Sequence, residues 1–387
     1  MLKKILCLAL LAPLLCVSGA ARAGEAEPAA DAALACTFTL HEANAGEEAR
    51  LSDGDVRSCV RVRSDRAIEA SAPSGATQAY IVFYAVPEAP CLRFFDAEGG
   101  ELEAVMLDEE LLYQSCAVPS GSARVTLTAE SDFAVSELAF YAALPETLLL
   151  PEPPPEQAEL LLVVAHTGDE SYYFGGLLPI LAGEKGRSVQ VLFLSVKSRL
   201  AMEEAMLALR DYGLCAQPLF MDFDYRLRPE GSNPAPLIWP EEEVCDGIAQ
   251  VIRACRPEIV ITHDPAGEDG DAMHASAGRL TRLAIERAAD AEAAIGGAAW
   301  QAARLYTHSA EAGGVELPMD EPLPQFDGET ARALTRQGFS RYTFLRLYHK
   351  AESAGEAPYY AAAATYRAPE DDPLLSLDID PMPTPSP

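Results

Sequence analysis

Residues 159–170 read ELLLVVAHTGDE, an unbroken apolar run that ends in a polar turn. A strand with one solvated face alternates apolar and polar residues. An unbroken run is expected where helices cover both faces of a parallel sheet. The same texture recurs at 189–194 (VQVLFL), 218–221 (PLFM) and 258–262 (EIVIT). Helical stretches separate these runs, notably 201–210 and 241–254. Strands alternating with helices predict a Rossmann-like α/β domain with a parallel sheet over residues 159–366.

Upstream the texture changes. Residues 151–158 form a stiff Pro-rich linker around PEPPP. Before it, residues 24–150 carry short runs of period-two alternation, as at 59–63 (CVRVR), 79–84 (AYIVFY) and 123–128 (ARVTLT). Clusters of Gly, Pro, Asp and Ser separate them, the pattern of an all-β sandwich of jelly-roll or galactose-binding-like type. Cys36, Cys59, Cys91 and Cys116 fall in this stretch and are expected to form two disulfides, with the pairing open. Cys215, Cys245 and Cys255 are odd in number and lack zinc-finger spacing.

Residues 1–23 read as a cleaved signal peptide: Lys3 and Lys4, an apolar run over 5–17, then Ala21-Arg22-Ala23. The run is short for a membrane span. Pro13 and Leu15 argue against lipidation at Cys16. The expected location is secreted, cell-surface or periplasmic. Residues 367–387, rich in Pro, Asp and Ser, are expected to be a disordered tail. A net charge of -30 repels nucleic acid and anionic membranes, so neither is an expected partner.

In open α/β sheets functional groups gather at the carboxyl ends of strands. The first buried strand ends in His166-Thr167-Gly168-Asp169, and EIVIT leads into 263–274, HDPAGEDGDAMH. Three of the six histidines lie at these two strand ends. His166 and Asp169, three apart on one turn, can face one point, and His274 opens the helix that follows the second strand. Two imidazoles and a carboxylate suit Zn2+ and leave one position open for water.

His166–Glu170 followed by Phe174-Gly175-Gly176 resembles the AHPDDE…GG segment of the PIG-L/LmbE-like N-acetylglucosaminyl de-N-acetylase family. Residues 262–279, THDPAGEDGDAMHASAGR, resemble its second block, THDPNGEYGHPDHRAVGR. Ser198-Arg199 with Glu203, Glu204 and Leu207 is similar to its R…E…AL helix, and 304–308 (RLYTH) to a later strand. The resemblance covers about residues 159–350. It implies removal of acetyl from an N-acetylated sugar or glycoconjugate, with Zn2+ on His166, Asp169 and His274 polarising the amide carbonyl.

The departures concern proton transfer. Gly168 stands where the family carries its general base, Asp271 where it carries the first His of GHPDH, Asp269 in place of an aromatic, and Met273 in place of an Asp. Loss of a general base typically costs about 10²–10⁴-fold in rate. Asp269 or Asp271 is the expected replacement proton carrier.

Other side chains have weaker expectations. His263 reads as a loop hydrogen-bonder. Asp264 could orient a ligand histidine, Glu170 could cap the next helix or order the site, and His308 could contact ligands or substrate. Arg199 could reach substrate or form a surface salt bridge. Trp239 could stack on sugar or anchor the loop over 226–240. The competing readings are a catalytically impaired metal- or glycan-binding protein and an adhesin driven by the sandwich. Gly168, Gly175 and Gly176 do not make a GxGxxG pattern, which speaks against a dinucleotide enzyme.

Overall fold

The computed structural model describes residues 32–40, 46–196, 198–223, 226–227, 237–311, 314–369 and 371–375. The expected signal peptide, Cys16 and the end of the tail lie outside the described residues. The N-terminal alternation becomes β1 (Phe38–Leu40), β2 (Val60–Val62), β3 (Ile68–Ser71), β4 (Gln78–Ala85), β5 (Cys91–Phe95), β6 (Glu101–Met106), β7 (Tyr113–Ala117), β8 (Arg124–Thr128) and β9 (Phe133–Tyr141). These pair into one sheet of order β1-β3-β8-β5-β6 and another of order β2-β9-β4-β7. Alternate side chains of both sheets, among them Ile81, Phe83, Leu92, Phe94, Val125 and Leu127, meet in one buried core.

The expected disulfides are not formed: Cys36, Cys59, Cys91 and Cys116 are free. Cys91 stands opposite Met106 and Thr128 in one sheet, and Cys116 opposite Ala79 in the other. The ladders therefore set neither beside another cysteine, and the packed core holds the sandwich.

The C-terminal part contributes β10 (Leu160–His166), β11 (Val189–Ser195), β12 (Leu219–Phe220), a small hairpin of β13 (Arg226–Leu227) and β14 (Leu237–Ile238), β15 (Ile259–Thr262), β16 (Arg304–Ser309), β17 (Val315–Glu316) and β18 (Tyr359–Thr365). Its helices are α1 (Asp169–Tyr172), α2 (Arg199–Asp211), α3 (Glu241–Cys255), α4 (Ala272–Ala289) and α5 (Ala331–Phe339). The sheet order is β12-β11-β10-β15-β16-β18-β17, parallel from β12 to β16 and antiparallel beyond.

The apolar run of β10 has a direct packing cause. Leu160, Leu162 and Val164 enter a core shared with Ala205, Leu209 and Phe339 of α2 and α5. Leu161, Val163 and Ala165 enter another with Val244, Ile248 and Leu280 of α3 and α4. From β10 the chain builds outward through β11 and β12, then crosses to β15 and β16 on the other side. Such a reversal opens a crevice at the carboxyl ends of the two central strands.

Two expectations need correction. The Pro-rich segment is not a bare spacer, because Glu152 N–H donates to Cys215 O and Gln217 N–H donates to Glu152 O. Part of the expected disordered tail is packed: Leu374 is buried, and Asp372 accepts from Arg304 Nη1 at 2.5 Å and Tyr306 Oη at 2.9 Å. A buried leucine and a paired carboxylate outweigh the local composition.

The two parts meet along a seam. Met206 of α2 packs with Tyr80, Tyr113 and Leu149. Arg199 is buried, donates to Phe83 O at 3.3 Å and lies over the Tyr113 ring at 5.0 Å. It therefore reaches neither substrate nor solvent, correcting both expectations for it. Gln217 Oε1 accepts from Leu112 N–H at 2.7 Å while its Nε2 donates to Glu110 O. Gln217→Leu leaves two backbone groups unpaired, each expected to cost about 1–3 kcal/mol. Urea unfolding followed by circular dichroism should show that loss, and an unchanged midpoint would rule out the seam as a stabilising contact.

Candidate metal centre

Each side chain of the site is delivered by an element whose end the sheet fixes. β10 stops at His166, and the chain turns through Gly168 at φ 100°, a left-handed conformation suited to glycine. The turn returns the Asp169 carboxylate to the strand end, where its Oδ2 accepts from His166 N–H at 2.7 Å. The same oxygen lies 3.3 Å from His166 Nδ1, 3.4 Å from His274 Nε2 and 3.5 Å from His263 Nε2. Asp271 caps α4, its Oδ1 accepting from Met273 N–H at 2.6 Å and His274 N–H at 3.2 Å. That cap sets the helix start and aims His274 at the end of β10.

The donor atoms of His166, Asp169 and His274 all lie within 4.8 Å of one another. Asp169 and His274 are buried, and His166 is half-buried at the edge. Burial alone would raise the Asp169 carboxyl, yet His274 and His166 beside it hold it well below its ordinary range. An ionised carboxylate and two imidazoles converging beside a cavity fit a Zn2+ ion with one position open. The cavity, of about 450 Å³, is bounded by these three residues with Tyr173, Asp269, Asp271, Leu345 and His349 among others.

His263, Glu268 and His274 also bring donor atoms within 4.8 Å, but two of those three residues are already engaged. Glu268 Oε2 lies 2.8 Å from His263 Nδ1, and Oε1 lies 3.0 Å from His308 Nδ1 and accepts from Asp264 N–H at 3.1 Å. Burial works against this charge, but the hydrogen bonds from His263 and His308 outweigh it and hold the carboxyl below its ordinary range. For His263, burial opposes the positive form while Asp169 and Glu268 favour it, up to about 9. Ala165 N–H, however, donates to Nε2 at 3.0 Å and needs a lone pair there. The hydrogen bond decides, because a proton on Nε2 would point at another N–H; His263 is neutral with its proton on Nδ1.

Glu268 is thus the carboxylate that orders the imidazoles, a role the sequence suggested for Asp264. Asp264 instead folds on its own loop, accepting from Ala266 N–H at 2.8 Å. Glu268 Oε2 also lies 3.5 Å from His274 Nδ1, and the His263 and His274 rings stack with centroids 4.3 Å apart. His308 joins this network rather than the cavity, with Nε2 2.9 Å from Ala357 O. Glu170 orders the turn: it accepts from Gly168 N–H at 2.7 Å, Ser171 Oγ at 2.6 Å and Tyr342 Oη at 2.6 Å. Burial nevertheless pushes its carboxyl up to about 7.

Asp269, in a left-handed conformation at φ 56°, accepts from Tyr173 Oη at 3.0 Å. Asp269 and Asp271 both border the cavity. Trp239 is buried in the core between the sheet and α3, so it anchors and cannot serve as an open sugar platform. Sequence reading missed Glu268, Tyr173 and His349. Scarcity was the available signal for His349: the chain has six histidines, and each of the five among the described residues borders or supports this site.

Residues 161–285 match the family model described as PIG-L, GlcNAc-PI de-N-acetylase, and the chain carries a PIG-L family domain there. A 1D-myo-inositol 2-acetamido-2-deoxy-alpha-D-glucopyranoside deacetylase of Rhodococcus erythropolis is 31% identical over 186 residues, 41% of this chain and 63% of that protein. The Rhodococcus opacus protein of the same name is 28% identical over 189 residues, 41% and 64% of the two chains. The match thus spans just under two thirds of these relatives. The solved N,N'-diacetylchitobiose deacetylase of Pyrococcus horikoshii is 14% identical, with 54% of this chain and 84% of that chain covered at a TM-score of 0.35.

Carboxylates that orient ligand histidines typically affect metal affinity about 10–100-fold. Zinc titration against a competing chelator should show a weakening of that order in Glu268→Gln and little change in Asp264→Ala. The reverse ranking would return the orienting role to Asp264.

Proposed function

We propose that this chain is an exported, Zn2+-dependent hydrolase that removes acetyl from N-acetylated amino sugars or glycoconjugates. The observation that carries this reading is the convergence of His166, Asp169 and His274 on a cavity at the carboxyl ends of β10 and β15, inside a PIG-L family domain. The acetamido sugar named for its relatives supports the substrate class. Export rests on the signal-peptide reading of residues 1–23.

Zn2+ in that triad would supply a Lewis acid for the amide carbonyl and lower the pKa of water. The chain's own residues do the rest. Asp169 stays ionised among the imidazoles. Glu268 keeps the His263 proton on Nδ1, and the His263 ring supports the His274 face by stacking. Amide cleavage also requires a proton for the departing amine. We assign proton transfer to the carboxylates of Asp269 and Asp271 at the cavity edge, with the Tyr173 hydroxyl donating to Asp269.

One observation favours the competing reading, an impaired metal- or glycan-binding protein. Gly168 offers no ionisable group, and a Cβ there would stand 2.0 Å from Leu345 Cδ1, so an apolar side chain fills the place of a base. Two experiments separate the readings. Purified protein should hold about one Zn2+ per chain by mass spectrometry, lost in His274→Ala, and should release acetate from N-acetylglucosamine conjugates. Full zinc occupancy without acetate release across such conjugates would favour binding over hydrolysis, and metal-free wild type would remove the triad.

The second experiment isolates Asp271, whose cap and proton roles overlap. Asp271→Ser keeps a helix-capping oxygen but removes the carboxylate. Unchanged thermal stability with acetate release down about 10²–10⁴-fold is expected. Full activity in Asp271→Ser would confine this residue to capping.

A further inference from the structure

A second cavity, of about 690 Å³, opens beside the metal centre and shares two of its walls, His166 and Leu345. Leu200 and Ala201 of α2 line one side, and Phe344, Leu345 and Leu347 line the other. Its size is that of small-molecule pockets. Phe344 and Leu347 are 64% and 74% exposed, and Tyr348, 70% exposed, packs its ring 5.1 Å from Phe344. Single exposed apolar side chains are ordinary; a run of them bordering a groove that adjoins a reactive cavity marks a binding surface.

We propose that this groove seats a neutral alkyl chain carried by the substrate of the metal centre, an inference that rests on the amide-hydrolase reading. Three observations choose the occupant. The groove adjoins the metal cavity, with His166 and Leu345 lining both, so a substrate held at the metal has the groove beside it. Leu345 lines both cavities and fills the flank of Gly168, so the boundary between them is apolar. Glu204 lies in the groove and the chain has a net charge of -30, which disfavours a fatty acid or anionic headgroup. Thr167, Ser195, Ser198 and Thr343 also line the groove, but a second sugar ring laid along Leu200, Phe344 and Leu347 would leave hydroxyls unpaired there. The chain can arrive on the acyl side of the amide or on the glycosidic side, and suitable probes distinguish these sources.

The test is calorimetric binding to the full-length zinc-loaded protein. Octyl and methyl glycosides of N-acetylglucosamine report the glycosidic side, and N-octanoyl- and N-acetylglucosamine report the acyl side. One octyl probe should bind about 10-fold or more tighter than its short-chain parent, because each methylene leaves water. Ala201→Trp, which fills the groove from α2, should abolish that gain and leave zinc content and short-chain affinity unchanged. Phe344→Ser should reduce the gain from the opposite wall. Equal affinities within both pairs, no binding of either octyl probe, or a gain that persists in Ala201→Trp would overturn the proposal. So would a dimer in solution that Phe344→Ser dissociates, which would assign this face to a second copy. Acetate release is measured separately: a chain-length gain without release keeps the groove and removes the hydrolase, and release without a gain does the opposite.

Discussion

A single negative charge, buried between imidazoles, is the constraint from which the site is built. The Glu268 carboxylate bridges His263 at the end of β15 and His308 on β16. Such a charge is costly in a dry interior unless partners satisfy it. Here the partners come from neighbouring strands, so satisfying the charge also fixes the spacing of those strand ends. The constraint extends to β10, because Ala165 N–H donates to Nε2 on the opposite edge of the His263 ring. His263 in turn lies flat against His274, and the donor triad inherits its rigidity from a group outside it.

Much of this architecture was legible because single residues had a single local cause. The unbroken run of β10 reflects helices packed on both faces, and α2 and α3 fall within two residues of the positions their periodicity indicates. His166, Asp169 and His274 stood out as metal-ligand types at two strand ends. Glu268 did not, since it is one of four acids between 264 and 271 and such a run reads as solvated loop. Which of the four turns inward is decided by the left-handed turns at Asp269 and Gly270, and by partners on β16 that are distant in sequence. Arg199 and Gln217 were opaque for the same reason: their partners belong to the sandwich.

Gly168 and Leu345 show how a turn without a side chain is filled by a distant one. The turn uses a left-handed conformation that disfavours other residues, and Leu345 occupies the volume beside it. A carboxylate residue in place of Gly168 would meet both backbone strain and a steric clash. Residue 168 is therefore coupled to the segment that carries Leu345, and that segment also borders both cavities.

The seam has a practical bearing on how the sandwich is interpreted. Tyr80, Tyr113 and Leu149 are buried in a cluster that includes Met206 of α2, and Phe83 O receives the Arg199 guanidinium. Cut free at the Pro-rich segment, the sandwich would carry a raw aromatic scar where its neighbour had been. Stickiness measured on such a fragment would report the scar, and ligand screens on the sandwich are meaningful only with its neighbour still attached.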